Sequence, residues 1–241
     1  MYSLKQPIKR LINASGFDLR RLTANTNPAY QLLKGLNRFN VDIVFDVGAN
    51  VGQFASELRS VGYKGDIVSF EPLSDAYELL LVQAGRDDKM QVHSRGAIGD
   101  YDGEIEINIS GNSVSSSVLP MMKAHTSAAA HSEYVASETV PIFRLDTVAP
   151  EYLSEASRSF LKIDTQGFEW QVLDGASELL ERVDGVLCEL SLVPLYEGQR
   201  LWMDLIQRLE QEGFTLWSIQ KGFTDPRDGR TLQVNAIFFR C

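Results

Sequence analysis

Cysteine is scarce: only Cys188 and Cys241 occur in 241 residues. Two such positions make neither a disulfide framework nor a metal-ligand spacing. Cys188 lies in an apolar stretch and reads as a small buried residue, which fits a reducing, cytoplasmic setting. Long apolar runs are missing too, and nothing approaches the ~20 residues that a membrane-spanning helix needs. The opening stretch MYSLKQPIKRLINASGF lacks the continuous apolar core of a secretory signal. Basic charge is thin over most of the chain. Residues 1–40 hold seven Lys and Arg against Asp18 alone, a net of +6, so residues 41–241 carry −15 of the overall −9. That acidity argues against nucleic acid as the main substrate, because phosphates would be repelled.

What is present is ordinary for a globular protein: 44% hydrophobic and 23% charged residues, enough for one α/β domain with short additions. Residues 1–40 form a basic helical segment ahead of a main domain at 41–241. Leu4, Ile8, Leu11 and Ile12 fall on one helical face, with Lys5, Lys9 and Arg10 around the rest, and Pro7 sets the start. Such a helix packs on the main domain or on a second copy of the chain. The sharper alternative is an interfacial helix at an anionic membrane or beside a lipid-linked substrate.

From Val41 the pattern alternates. VDIVFDVG, GDIVSFEP, MQVHSRGAI, SFLKID and DGVLCEL read as buried strands. NVGQFASELRSVGY, SDAYELLLVQAG, GFEWQVLDGASELLERV and LWMDLIQRLEQEG read as helices, the last closing at Gly213. Such alternation implies a mostly parallel sheet with right-handed crossovers. EIEINIS alternates as a half-exposed strand, ETVPIFRLDTV is a further strand, and FTLWSIQ with TLQVNAIFFR forms a terminal antiparallel hairpin across KGFTDPRDG. Residues 110–137, rich in Ser and Ala, interrupt the rhythm; a connection of that length suggests a lid or substrate loop.

The chemistry-bearing residues sit where strands end. In FDVGANVGQF, residues 45–54, a strand runs into a glycine turn and then a helix. Gly48 and Gly52 permit tight turning and close approach of a ligand, at the edge where open parallel sheets bind nucleotides. Asn50 stands where a dinucleotide fingerprint would place another glycine. Glu71 ends the next strand, where an acid can accept hydrogen bonds from both ribose hydroxyls. Together these accommodate an adenosine without a pyrophosphate, as in S-adenosylmethionine. NAD is the competitor, although its loop calls for three glycines. In FLKIDTQGFEWQVLDGA, Lys162 and Asp164 share one strand face. Glu169 falls in the first turn of the following helix, where a carboxylate is stabilised by the helix N-terminus. Glu189 ends the next strand, so Lys162 is expected to pair with it.

The segments FDVGANVGQF, SFEP, AIGDYDGE, VPIFRLDT, LKIDTQGFEWQVLDGA and CELSLVPLYEG together resemble the FkbM family of methyltransferases, over most of residues 41–220. The resemblance implies a class I methyltransferase, Rossmann-like fold: a mostly parallel seven-stranded sheet with a C-terminal antiparallel hairpin and helices on both faces. It implies S-adenosylmethionine as cofactor and O-methylation of a hydroxyl on a sugar, glycolipid or polyketide. Residue by residue, it places Asp46, Gly48, Asn50 and Gly52 in the cofactor loop and Glu71 on the ribose. Ala97 and Ile98 lie beside the adenine, and Asp164 beside the methionine end.

The reaction would be in-line attack of a hydroxyl oxygen on the activated methyl, helped by alignment, water exclusion and a base. Asp164 and Glu169 are candidate bases, as are His125 and His131 in the long loop, where a lone histidine is more often solvated. A version assisted by Mg²⁺ between Asp164 and Glu189 is the less favoured form. The rival classes are a dinucleotide oxidoreductase and a non-catalytic module that keeps the cofactor fold.

Overall fold

The computed structural model describes residues 10, 12–17 and 21–240. The amphipathic face of Leu4, Ile8, Leu11 and Ile12 therefore lies outside the described residues, apart from Ile12. The first complete helix, α1 (Pro28–Arg38), starts from local chemistry: Asn27 accepts a hydrogen bond from the Tyr30 amide at 2.7 Å, and Pro28 occupies the first turn.

Seven strands form the main sheet: β1 (Ile43–Val47), β2 (Asp66–Phe70), β3 (Met90–Val92), β7 (Ser159–Ile163), β8 (Gly185–Ser191), β9 (Thr215–Lys221) and β10 (Gln233–Phe239). Their order is β3-β2-β1-β7-β8-β10-β9, parallel from β3 through β8 and antiparallel where β10 meets β8 and β9. The seven-stranded, class I methyltransferase architecture with its terminal hairpin is thus present. β1 and β7 are buried along their whole length, Asp46 and Lys162 included.

Side chains alternate between two cores. Val44, Phe160, Leu187 and Ile237 face α1 and α2 (Gln53–Ser60). Phe45, Leu161, Val186 and Cys188 face the opposite side, with Leu173 and Leu180 from α6 (Glu169–Asp174) and α7 (Ser177–Leu180) and Leu205 from α8 (Trp202–Gln211). Each such burial contributes roughly 1.5–3 kcal/mol. Leu32, Leu33 and Leu36 of α1 belong to the first of these cores, so residues that charge groups with the N-terminal segment pack as part of the main domain.

Three local readings are corrected. MQVHSRGAI is two strands, β3 and β4 (Ala97–Ile98), which belong to different sheets. β4 joins β5 (Gly103–Ser110) and β6 (Tyr134–Phe143) in a three-stranded sheet, where β5 and β6 pair antiparallel. The helix expected over 167–183 divides into α6 and α7 at Gly175, because the chain there packs against the Gly99 carbonyl with no room for a Cβ. Finally, the long excursion is shorter than its composition suggests. β6 begins at Tyr134, paired with Ser110, and the short helix α4 (Lys123–Ala128) lies within the rest. Two further helices are α3 (Ser74–Ala84), between β2 and β3, and α5 (Leu145–Val148), after β6. No helix of the described residues is long and apolar enough to cross a membrane.

Candidate active site

The C-terminal ends of β1, β2 and β7 open onto a cavity of about 520 Å³. The cofactor-loop residues Gly48 and Asn50 line it, as do Glu71, Ala97, Ile98 and Asp164. Six of the eight residues expected around a cofactor thus meet at one cavity. The other two, Asp46 and Gly52, stand behind the wall: Asp46 is fully buried, and Gly52 caps α2 with φ +87°.

The loop is held by its own hydrogen bonds. The amides of Gly48 and Ala49 donate to the Phe70 carbonyl, and that of Gly52 donates to the Ala49 carbonyl. The Asn50 amide donates to Glu71 Oε2 at 2.7 Å, and the Val51 amide to Asn50 Oδ1 at 2.9 Å. All five amides from Gly48 to Gly52 are therefore engaged inside the protein. Asn50 adopts φ +47°, a conformation that Asn tolerates better than most residues. At Gly48, with φ +77°, a Cβ would collide with the Asp164 carbonyl oxygen, so only glycine lets β1 turn beneath the end of β7.

Glu71 is almost wholly buried, and its second oxygen accepts from the Leu73 amide at 3.0 Å. Burial raises its pKa to about 7, opposed by these two backbone donors. The carboxylate thus ties the glycine loop to the start of α3 while facing the cavity.

Lys162 does not pair with Glu189 as its position suggested. Its ammonium lies 2.9 Å from Asp46 and 3.9 Å from Asp164, and donates to the carbonyls of Gly48 at 2.8 Å and Val47 at 3.3 Å. The reason is register. Lys162 stands opposite Asp46 on β1 and opposite Leu187 on β8, so Glu189 is two residues beyond reach. Burial works against the charged ammonium, but the Asp46 and Asp164 carboxylates hold its pKa above the ordinary lysine value. Lys162 is a clamp on the glycine loop.

Asp164 is part-exposed at the cavity wall, and Gln166 Nε2 donates to its Oδ1 at 2.7 Å. The same nitrogen donates to Glu189 Oε2 at 2.7 Å, which also accepts from Gln233 at 2.6 Å. Burial, reinforced by the Asp164 and Glu169 charges, drives the Glu189 pKa well up. The amide of Gln166 thus occupies the gap between the two carboxylates that a divalent cation would bridge. Among the described residues, no cluster of three or more His, Cys, Asp or Glu side chains is placed to hold a metal.

The other three candidate bases do not line the cavity. Glu169 is buried at the start of α6, and its Oε1 accepts from the amides of Thr165 at 3.1 Å and Gly167 at 3.0 Å. Burial raises its pKa to about 7. It shapes the turn after β7. His125 is not a solvated loop residue. It is buried, 3.1 Å from Ser115 Oγ and against the Tyr196 and Phe223 rings, and burial lowers its pKa to about 4. His131, by contrast, is exposed at φ +57°.

Two residues of this network carry no signal strong enough to single them out from sequence. Gln166, at φ +54°, lies inside the KIDTQGFE segment; Tyr196, in CELSLVPLYEG, donates to Gln166 Oε1 at 2.9 Å. Ser117 Oγ donates to the Gln166 carbonyl at 2.7 Å, so the 111–133 excursion is fastened to the same residue.

Residues 46–216 match the family model described as the methyltransferase FkbM domain. The 2-O-methyltransferase NoeI of Sinorhizobium fredii (strain NBRC 101917 / NGR234) is 27% identical over 222 residues, 87% of each chain. Among solved structures, the methyltransferase FkbM from Methylobacillus flagellatus KT superposes with a TM-score of 0.50 at 14% identity, over 83% of this chain. The present chain spans 44% of that protein's length, and the likeness is one of fold. With the matched region covering the cofactor loop, Glu71, the Lys162–Asp164 strand and Glu189, the chain belongs to the FkbM family of methyltransferases.

Proposed function

We propose that this methyltransferase moves a methyl group from S-adenosylmethionine to a hydroxyl of a sugar-bearing small molecule, glycolipid or polyketide. The observation that carries the cofactor assignment is the state of the glycine loop. A pyrophosphate needs free backbone amides or cations at this position, whereas every amide from Gly48 to Gly52 is already engaged. The nearby cation, Lys162, is committed to Asp46 and two carbonyls. What faces the cavity instead is acid, Glu71 and Asp164. Acidic walls suit a ligand carrying hydroxyls, an ammonium and a sulfonium, and they repel a dinucleotide.

Glu71 would accept the ribose hydroxyls, Ala97 and Ile98 would flank the adenine, and Asp164 would meet the amino-acid end. When bound, S-adenosylmethionine supplies a methyl whose bond to sulfur breaks, its electrons staying on sulfur, as an acceptor oxygen forms the new carbon–oxygen bond. The chain's own part is to align the acceptor, exclude water and receive the hydroxyl proton. Asp164, at the cavity wall, would take that last role. The acceptor class is supported by the family and by the 2-O-methyl activity in the name of the NoeI relative. The acidic 41–241 region supports a partner other than nucleic acid.

Isothermal titration tests the cofactor: S-adenosylmethionine should bind and NAD should not. Incubation with labelled methyl donor and a sugar-rich metabolite extract should yield S-adenosylhomocysteine and labelled ethers. NAD binding would favour the oxidoreductase reading, and cofactor binding without turnover a non-catalytic module.

A further inference from the structure

The cavity is wider than a nucleoside site requires. One end lies at Glu71 on β2, and the other reaches Gln220 and Lys221 at the end of β9. Five inter-strand spacings separate β2 from β9 in the sheet order, roughly 24 Å at about 4.8 Å each. A cofactor anchored at Glu71 and Asp164 therefore occupies the β2 side and leaves the β9 side open.

That far lobe lies between α1 and the sheet. Ala29 and Leu32 of α1 form its roof, Phe54 of α2 and Leu187 of β8 its apolar wall, and Asn235 of β10 its polar contribution. Phe54 marks the junction with the cofactor end, since the Lys162 ammonium lies 5.6 Å from its ring centroid. Asn235 stands opposite Glu189, which Gln166 links to Asp164. Among the described residues, the Asn235 side chain has no hydrogen-bond partner within the protein, whereas its neighbour Gln220 is engaged with the Pro28 carbonyl and Gln31. A half-buried amide left free on the wall of a cavity that Phe54 and apolar side chains also line offers the two kinds of surface a sugar uses: polar atoms that exchange hydrogen bonds with hydroxyl edges and an arene on which a C–H face can pack.

We infer that the lobe between α1 and β10 is the acceptor subsite, that it takes a pyranose ring, and that Asn235 determines its specificity by hydrogen bonding a hydroxyl that is not the one methylated. This rests on the methyl-transfer reading above. It gives α1 a functional task, as the roof of the acceptor site, and places the sugar on the side of Asp164 away from Glu71.

The test uses the full chain with S-adenosylhomocysteine bound and methyl pyranosides of several configurations as probes, read by saturation-transfer NMR. The wild type should show saturation of at least one pyranoside. Asn235→Leu, which keeps side-chain size but removes the amide, should weaken that signal at least fivefold, and Asn235→Ala should do the same. In both variants the affinity for S-adenosylmethionine and the melting temperature should stay near wild type. Pyranoside binding unchanged in both folded variants, or no pyranoside binding in a wild type that binds the cofactor, would overturn the subsite. Failure of the wild type to bind S-adenosylmethionine would instead overturn the functional reading on which it rests.

Discussion

Gln166 holds Asp164 by a 2.7 Å hydrogen bond from the same nitrogen that reaches Glu189. One amide thus sets the distance between a carboxylate at the cavity wall and a buried one behind it. Gln166→Leu removes both bonds and the acceptor for Tyr196. Turnover should fall roughly 10–100-fold, as a displaced group costs in a positioned site. Stability should drop by about 1–3 kcal/mol, because Glu189 loses a buried donor. Urea unfolding and steady-state kinetics on the same preparation check both; wild-type turnover would remove Gln166 from the positioning of Asp164.

Asp164→Asn separates the two tasks open to that carboxylate. If it binds the cofactor ammonium, affinity should fall by about 1.5–3 kcal/mol. If it receives the acceptor proton, affinity should hold while turnover falls roughly 10²–10⁴-fold. Wild-type values for both constants would show that it does neither.

Glu71 makes cofactor affinity depend on pH. Its pKa of about 7 stands above the ordinary 4.5, and the ionised carboxylate is the stronger acceptor for ribose hydroxyls. Affinity for S-adenosylmethionine should therefore rise through about pH 7, and Glu71→Gln should flatten that rise and weaken binding. Stability has the opposite sign. A raised carboxyl pKa contributes stability that is present below about 4.5 and lost as pH climbs through about 7, and Glu169 adds to the same trend. Urea midpoints measured from pH 5 to 8 should fall accordingly, less steeply in Glu71→Gln.

Lys162→Met should be among the most damaging substitutions, because it leaves Asp46 charged, buried and unpaired. Breaking a buried pair from one side costs about 3–5 kcal/mol. Adding Asp46→Asn should recover part of the stability without restoring cofactor affinity, since the Gly48 carbonyl still lacks its donor. Equal affinity in the double variant and the wild type would show that the clamp serves folding alone.

The excursion at 111–133 forms part of the cavity wall through Ser113, Val114, Ser116, Ser117 and Val118. We expect its amide hydrogen exchange to slow when S-adenosylhomocysteine binds, and to slow further with acceptor. Identical exchange in free and bound protein would count against a lid.

Much of this was legible in the sequence because it rests on local signals. Apolar runs ending in glycine mark buried strands that turn into helices, which located the loop at Gly48 and the strand ends carrying Glu71 and Asp164. Period and turn chemistry act over a few residues, so composition alone registers them. α1 was missed, although the Asn27–Pro28 start and the spacing of Leu32, Leu33 and Leu36 carry a local signal for it.

Tertiary structure decided which residues meet. Strand order and register placed Lys162 opposite Asp46, where the adjacency of two strand ends had suggested Glu189. Pairing with β5 drew residues 134–137 out of the apparent loop into β6. Gln166 became a bridge only once β7, β8 and the 111–133 excursion converged on it, and Asn235 became a cavity residue only once α1 closed over the sheet. The sequence by itself determined the buried strands of the main sheet and the glycine turn, because backbone geometry and apolar burial are set by near neighbours. The partners of each polar side chain were settled by packing, because a hydrogen bond or ion pair depends on distances that only the assembled sheet defines.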